Sequence, residues 1–500
     1  MNAPTAWNAL RSSVAHTPNL RAMSAWPPLG HHAAAFANPD RMAVLATLHG
    51  LAAKPARSAT VLEIGCGDGA NVISLAALYP AARFVGLDGS VAAIEKARAL
   101  TAELGILNLE LEVVDEGALP SPSARLESAD YIIALDVCSH LDAANRGAFF
   151  DAVARTLAPG GTALIGFDTL PGATDFEPLR ALMRFHTKSV ADPASAVRQA
   201  RAIVHWHIER IANLHGEGRV PVLRVLAAEL ERMPDAQLFR ILREETYAPL
   251  TLVDFSRELE AVGLSWLTNA RLDEPRSGDL PEPLRELARG GEAVRRQQYL
   301  DYFLMTRRRT SIVCRADEPI TREVSPDVFR AFSIGGRVAR RHILGVGKGP
   351  EPLVVTSSVG ETILSDSATL LLTLLSKHVP SAVPVEQLVA HVAPQISAEA
   401  ALIAIAELWR ADVVELALCP PAVAHEASAA PRTGALQRTL AAGLLEDSVE
   451  QANVPSLWHR EWPLDGAEIA ALATMDGTIA SAHFDPETLR KLVHKGFLSP

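Results

Sequence analysis

Between Ala59 and about Gly172 the chain alternates short apolar segments with amphipathic ones, and that alternation admits few folds. Thr60–Ile64, Arg83–Leu87, Leu109–Val113, Tyr131–Leu135 and Thr162–Phe167 are short, apolar and rich in Val and Ile, and read as strands. Ala70–Tyr79 and Val91–Leu104 read as helices between them. Strands separated by helices pair in parallel, because a crossover helix carries the chain back to the start of the next strand. The expected fold class is α/β, a Rossmann-like sheet with helices on both faces.

The chain has 500 residues, more than one core holds, so about three domains are expected. Residues 1–58 form an N-terminal cap segment with a helix starting at Asn38-Pro39-Asp40, where a capping side chain precedes a proline. Residues 59–172 hold the α/β domain, 173–344 a mostly helical domain, and 353–500 an Ala- and Leu-rich C-terminal domain. Gly345–Pro352 (GVGKGPEP) reads as the linker, with few contacts expected across it. Ala422–Thr433 reads as a second loop. Two runs in the C-terminal domain look alike. One starts at Leu364 and ends in a strand near Val413–Leu418, and the other starts at Leu464 and ends near Val493–Leu498. Helix, helix, strand is a winged-helix outline; two unrelated helical stretches fit equally well.

Charge and cysteines narrow the function classes. The formal net charge of -11 argues against general nucleic-acid binding, which needs a positive surface. Cys66, Cys138, Cys314 and Cys419 are too scattered for a CxxC metal or redox pair, and read as reduced thiols in the cytoplasm. Neither a signal peptide nor an apolar run of membrane-spanning length is recognisable, so no membrane insertion is expected.

The chemistry concentrates after the first strand. Glu63 ends it, and Gly65-Cys66-Gly67-Asp68-Gly69 turns into a helix. Glycines let a backbone turn tightly and approach a ligand closely. A dinucleotide prefers G-x-G-x-x-G. This loop is G-x-G-x-G with an acid two residues earlier, which suits a cofactor with a cationic amino-acid end and no phosphate. Asp88 closes the second strand, where a carboxylate can accept from ribose hydroxyls, and Asp115 follows the third, within reach of an adenine amino group. Gly89, Glu116 and Leu135 flank these ends and complete the candidate cofactor-binding set.

VLEIGCGDG, FVGLDGS, DYIIALDV and LAPGGTALIG, in that order, resemble the motifs of class I S-adenosylmethionine-dependent methyltransferases. A narrower resemblance adds NPDRMAVLATLHGL, DTLPG, HTKSVADPASAVRQAR, REETYAPLTLVDFSRELEAVGL, QQYLDYFLMTRRRTSIVCR and LWHREWPLDGAEIAALATMDGT. These look like bacterial methyltransferases with a regulatory domain and a winged-helix-like C-terminal domain, the rickettsial-type outer-membrane-protein lysine methyltransferases. The resemblance implies S-adenosylmethionine as cofactor and a protein or peptide lysine as acceptor. Two segments depart from it. The family's aromatic-rich stretch after the fourth strand is here Cys138-Ser139-His140-Leu141-Asp142, and its Tyr-Asn-Thr-Tyr-Pro-Gly-Trp after the fifth is Phe167-Asp168-Thr169-Leu170-Pro171-Gly172-Ala173. Both would cover the transferable methyl, so the acceptor stays open between a protein and a small molecule, with a binding module lacking turnover as a third reading.

Asp136, His140 and Asp168 follow the fourth and fifth strands and are the candidate catalytic residues, as general bases for an amine acceptor. His140 is equally a loop or packing residue. Arg307-Arg308-Arg309 reads as a solvated basic face or a contact for an acidic partner. His205-Trp206-His207 reads as packing, because i and i+2 diverge on a helix, and no metal site is expected.

Overall fold

The structure, a computed structural model, describes residues 34–114, 126–135, 137–215, 220–233, 235–244, 246–271, 282–283, 285–286, 292–336, 340–343, 353–357 and 359–500. The expected linker Gly345–Pro352 and the candidates Asp115, Glu116 and Asp136 lie outside these residues.

The strands expected from the sequence form as β1 (Thr60–Ile64), β2 (Arg83–Asp88), β3 (Leu109–Val113), β4 (Ala129–Ala134) and β5 (Leu157–Asp168). The sheet, however, has seven strands, because β6 (Leu264–Asn269) and β7 (Arg308–Arg315) come from the stretch read as a helical domain. Its order is β3-β2-β1-β4-β5-β7-β6, parallel except for β7, which pairs antiparallel with both neighbours. The boundary expected at 172 therefore cuts the sheet. The sequence pattern hides β6 and β7 because the apolar runs LSWL and TSIVC sit among long helical stretches.

Between β5 and β6 the chain makes a helical excursion: Glu177–Thr187, Pro193–His215, Val220–Arg232, Asp235–Arg243 and Leu252–Glu260. Leu179, Met183, Val197, Val204, Phe239 and Leu242 give it a small core of its own. The Leu252–Glu260 helix instead joins the sheet, with Phe255 stacked on Phe167 of β5, ring centroids 4.2 Å apart.

Strand residues alternate between faces. Leu62, Ile64, Val85, Ile132, Ile165 and Val313 point into the core that holds Phe149, Phe150 and Phe255. Val61, Phe84, Tyr131, Ile133, Leu164 and Ile312 point into another core, which runs on through the N-terminal helix to Leu371, Leu388, Leu402 and Ile405. That core crosses the boundary expected at 344, so the C-terminal region is not a body apart from the sheet. Its first half has helices Asp366–Leu375, Val385–Val392 and Ala398–Arg410, with Val414–Ala417 and Ala382–Pro384 flanking Ser333–Gly336 in a small sheet. Its second half has helices Ala435–Glu446, Gly466–Thr474 and Pro486–His494 and a hairpin of Gln451–Pro455 with Glu461–Asp465. The strand expected near Val493–Leu498 shrinks to Leu498–Ser499, because the preceding helix runs through His494 before Gly496 turns with a φ of 75°.

The N-terminal helix Pro39–Leu48 starts as expected, with the Asn38 side chain accepting from the Asp40 N–H at 2.9 Å. Asp40 is buried and accepts from the N–H groups of Leu418 (3.1 Å) and Cys419 (2.8 Å), tying the N-terminal helix to the C-terminal region.

The basic run is not a solvated face. Arg307 pairs with both Glu229 oxygens at 2.7 Å, Arg308 turns toward β4 and β5, and Arg309 is fully buried. Its guanidinium meets Asp301 at 3.0 and 2.8 Å, Asn269 Oδ1 at 2.8 Å and the Gln297 carbonyl at 3.0 Å. Arginine is the cation for such a site, since its planar fork satisfies several acceptors at once. Removing one partner of a buried pair strands the other charge. Asp301→Ala is therefore expected to destabilise the protein by about 3–5 kcal/mol in urea unfolding, whereas Arg307→Ala costs about 1 kcal/mol or less as an exposed pair.

Candidate active site

The carboxyl ends of β1 and β2 bring Glu63, the glycine loop and Asp88 together. The loop needs its glycines: Gly65, Gly67 and Gly69 have φ values of 73°, 55° and 79°, in the left-handed region. A Cβ at Gly69 would stand 2.8 Å from Ile73 Cδ1, whereas one at Gly67 would meet nothing within 4 Å. Gly67 thus borders open space, a cradle for a ligand beside the start of the Ala70–Leu78 helix.

Asp88 shapes this cradle, its Oδ2 accepting from the Gly67 N–H and its Oδ1 from the Ser90 N–H, both at 2.8 Å. Glu63 is buried and accepts from Asn71 Nδ2 at 3.0 Å. Burial, with Asp88 nearby, pushes its carboxyl up to about 7. Cys66 is buried beside Gly86, where a Cβ would come within 3.0 Å of its sulfur; burial and the surrounding carboxylates raise its thiol, so it packs rather than reacts. Asp68 is buried and paired with Lys96 at 2.9 Å. Gly89 follows Asp88 directly and borders open space, where a Cβ would meet only the Val114 carbonyl, at 3.8 Å.

Leu135, His140 and Asp168 gather at the ends of β4 and β5. The Leu135 carbonyl accepts from Arg308 Nη2 at 2.6 Å, and Arg308 Nη1 stands 3.6 Å from Asp168. The Asp168 N–H donates to Ser139 Oγ at 2.7 Å. His140 is turned into the helical excursion, where its Nδ1 meets Glu244 and its Nε2 faces Arg240 at 3.4 Å. Glu244 also pairs with Arg180 at 3.4 Å. This is the geometry of a tethered side chain, and it weighs against His140 as a free base.

Three neighbours of this site escaped sequence reading, Arg180, Glu244 and Tyr247, and Arg308 reads there only as part of a basic run. The segment around Leu250 runs beside β5, with Leu250 N–H on the Asp168 carbonyl (3.1 Å) and Ala248 N–H on the Ser139 carbonyl (2.9 Å). This seats Tyr247 with its hydroxyl near the Asp168 carboxylate, while the Arg180 guanidinium covers its ring at 4.3 Å. Burial, with the Asp168 charge, raises the Tyr247 hydroxyl above its ordinary value. Tyr247 lies in the run REETYAPL, yet nothing in the spacing places it near β5. The second departure from expectation is His205-Trp206-His207, where His205 and Trp206 are exposed and only His207 is half-buried, His205 pairing with Glu209 at 3.1 Å.

An acid at the end of β1, a left-handed glycine loop, an acid at the end of β2 and a seven-stranded sheet with one antiparallel strand define the class I methyltransferase fold. Residues 62–163 match the family described as methyltransferase domain, and residues 242–315 the family described as predicted methyltransferase regulatory domain. The chain is 29% identical over 304 residues to an uncharacterized protein, RP789, of Rickettsia prowazekii, covering 60% of this chain and 54% of that one. It is 25% identical over 259 residues to the uncharacterized protein sll1526 of Synechocystis, covering 51% and 50%. The chain thus spans about half the length of these two relatives. The structure of PKMT2 from Rickettsia typhi shares the fold nearly throughout, with a TM-score of 0.79 at 18% identity over 95% of this chain and 100% of that one. A second structure of PKMT2 is a complex with AdoHcy, again with a TM-score of 0.79 at 18% identity, over 95% of this chain and 99% of that one.

Close packing at the end of β5 makes a test of the site's scaffold. A Cβ on Gly166 would collide with the Leu135 carbonyl oxygen, which is backbone and cannot swing aside. Gly166→Ala is expected to destabilise by about 1–3 kcal/mol in chemical denaturation; a neutral substitution would mean that β4 and β5 separate here.

Proposed function

We propose that the protein is an S-adenosylmethionine-dependent methyltransferase whose acceptor is a lysine side chain of a protein. The observation that carries the cofactor is the cradle at Gly67, open where a Cβ would stand and flanked by Glu63 and Asp88. Glu63 suits the cofactor's ammonium and Asp88 its ribose hydroxyls. The AdoHcy complex of PKMT2, a protein of the same fold, supports this reading.

When bound, S-adenosylmethionine supplies an electrophilic methyl on a sulfonium. The chain's residues then have to exclude water, hold the acceptor in line and receive its proton. A lysine amine, ordinarily at a pKa of ~10.4, must reach the site neutral. We assign Asp168, at the end of β5, and the nearby Tyr247 the task of orienting it, and Asp168 the role of proton acceptor. The sequence resemblance to protein lysine methyltransferases supports the acceptor class. We assign 366–417 a winged-helix-like role in holding the acceptor protein, on its order of helix, short strand, two helices and strand. Among the described residues no helix is long and apolar enough to cross a membrane. The four cysteines are buried free thiols, which suits a reducing cytoplasm.

Calorimetry with S-adenosylhomocysteine tests the cofactor. Binding of NAD in its place overturns the assignment. Asp88→Ala removes charge-assisted contacts worth ~1.5–3 kcal/mol each and is expected to weaken binding at least tenfold. The pH dependence follows from Glu63. Its carboxyl, pushed up to about 7, binds a proton below that pH, and the cofactor's ammonium needs the carboxylate. Affinity is expected to fall as pH drops through about 7, by up to tenfold per unit, and to level off above it; a flat profile from pH 6 to 8 contradicts the role of Glu63. For the acceptor, mass spectrometry of candidate proteins after incubation with labelled cofactor should find the label on lysine; label on a small molecule alone overturns the protein reading.

A further inference from the structure

A fully buried histidine lies behind the cofactor cradle and has no place in the reaction. His459 belongs to the C-terminal hairpin, in the turn between strands Gln451–Pro455 and Glu461–Asp465. The Ser456 N–H donates to the Arg460 carbonyl at 2.8 Å, and the His459 N–H to the Ser456 carbonyl at 2.9 Å. Trp458 Nε1 donates to the Pro380 carbonyl at 2.9 Å, and Arg460 pairs with Glu415 at 3.2 Å. The turn drives His459 into the left-handed region, with a φ of 54°. That conformation is uncommon outside glycine, and it persists where the surroundings overdetermine it.

Its ring ends on the helix that follows the glycine loop. Nδ1 meets Ser74 Oγ at 2.9 Å, and Nε2 meets Asn71 Oδ1 at 2.8 Å. Asn71 Oδ1 also accepts from the Ala34 N–H at 3.1 Å, and Asn71 Nδ2 donates to Glu63 at 3.0 Å. The amide is therefore oriented, and the tautomer with it. Nε2 carries the proton and donates to Asn71, while Nδ1 accepts from the Ser74 hydroxyl. Burial lowers the imidazole to about 3, so it is neutral and this pattern holds at every physiological pH. One continuous chain of donors runs from Ser74 through His459 and Asn71 to the Glu63 carboxylate.

We propose that His459 is a positioning residue for the cofactor site: it fixes the Asn71 amide, Asn71 holds Glu63, and cofactor affinity therefore depends on the C-terminal region being seated. The inference rests on the cofactor reading above and adds to it a residue 388 positions away from its partner Asn71. The groups facing Glu63 are Asn71 from the helix, Cys66 from the loop and Asp88 from β2, with Asp68 completing the acids around the loop. Of these, Asn71 lowers the Glu63 carboxyl and Asp88 raises it.

The test uses the full chain and S-adenosylhomocysteine as the probe, with thermal unfolding measured alongside. His459→Ala and His459→Phe, the second keeping the ring volume, are expected to weaken binding at least tenfold. His459→Gln, whose amide can still donate to Asn71, should bind within about threefold of the parent. With Asn71 released, the pH at which binding is half lost should move upward in His459→Phe, a shift that lost packing alone does not produce. In a double-mutant cycle, Asn71→Ala with His459→Phe should lose no more affinity than Asn71→Ala alone. Equal affinity and an unmoved pH midpoint in His459→Phe overturn the inference, as do additive losses in the cycle. Should His459→Phe fail to fold, Asn71→Ala and His459→Gln decide alone: the inference requires the first to weaken binding and shift its midpoint and the second to do neither, and any other result overturns it. If the parent protein itself binds no S-adenosylhomocysteine, the cofactor reading fails first and this inference with it.

Discussion

The pairing of β5 with β7 is the constraint from which the rest of the site follows. The two run antiparallel, with six residues of β5 from Ala163 to Asp168 facing Val313 to Arg308. β7 can lie between β5 and β6 only if the chain leaves β5, travels and returns. The excursion this demands is spent on helices, and the segment near Leu250 is hydrogen-bonded back to Asp168 on the way. Glu244 and Tyr247 reach the strand ends for that reason, and Arg308 reaches them as the first residue of β7. Arg309, one residue on, points to the other side of the strand and is locked by Asp301. Neighbouring arginines thus serve a surface at the site and a buried ion pair beneath it.

The first five strands and the glycine loop were legible because the information in them is local. Val and Ile runs mark strands, and left-handed turns demand glycine, so the bounds of β1 and β3 match the reading residue for residue. β6 and β7 were not legible, because an antiparallel strand added after a long insertion is specified by its partner, not by its own period. The same holds for side chains. Glu63 and Asp88 could be placed from their distance to the loop, whereas Tyr247 and His459 reach their partners through tertiary folding alone. The basic run misled for a related reason: three charges in sequence look solvated, and strand alternation sends the middle and last of them to opposite faces.

The site's polarity separates by depth. Near the cofactor cradle the side chains are acidic: Glu63, Asp68 and Asp88, with Lys96 offsetting Asp68. At the ends of β4 and β5, acids and arginines alternate: Asp168 with Arg308, Glu244 with Arg180, and His140 between Glu244 and Arg240. The first zone thus presents carboxylates, and the second an already paired lattice. In the second zone Arg180 lies over Tyr247 and Arg308 stands 3.6 Å from Asp168, so both arginines are engaged within the protein.

The tie between Asp40 and the amides of Leu418 and Cys419 has a consequence for how the molecule comes into being. The two amides lie 378 and 379 residues beyond Asp40. On a ribosome adding ~5–20 residues per second, the helix that carries Asp40 waits roughly 20 to 75 s for them. Until they are made, Asp40 lacks the two amides that hold its buried carboxylate in the folded protein. The N-terminal helix therefore cannot complete its packing as an early, local event; its last hydrogen bonds wait on residues made several hundred positions later.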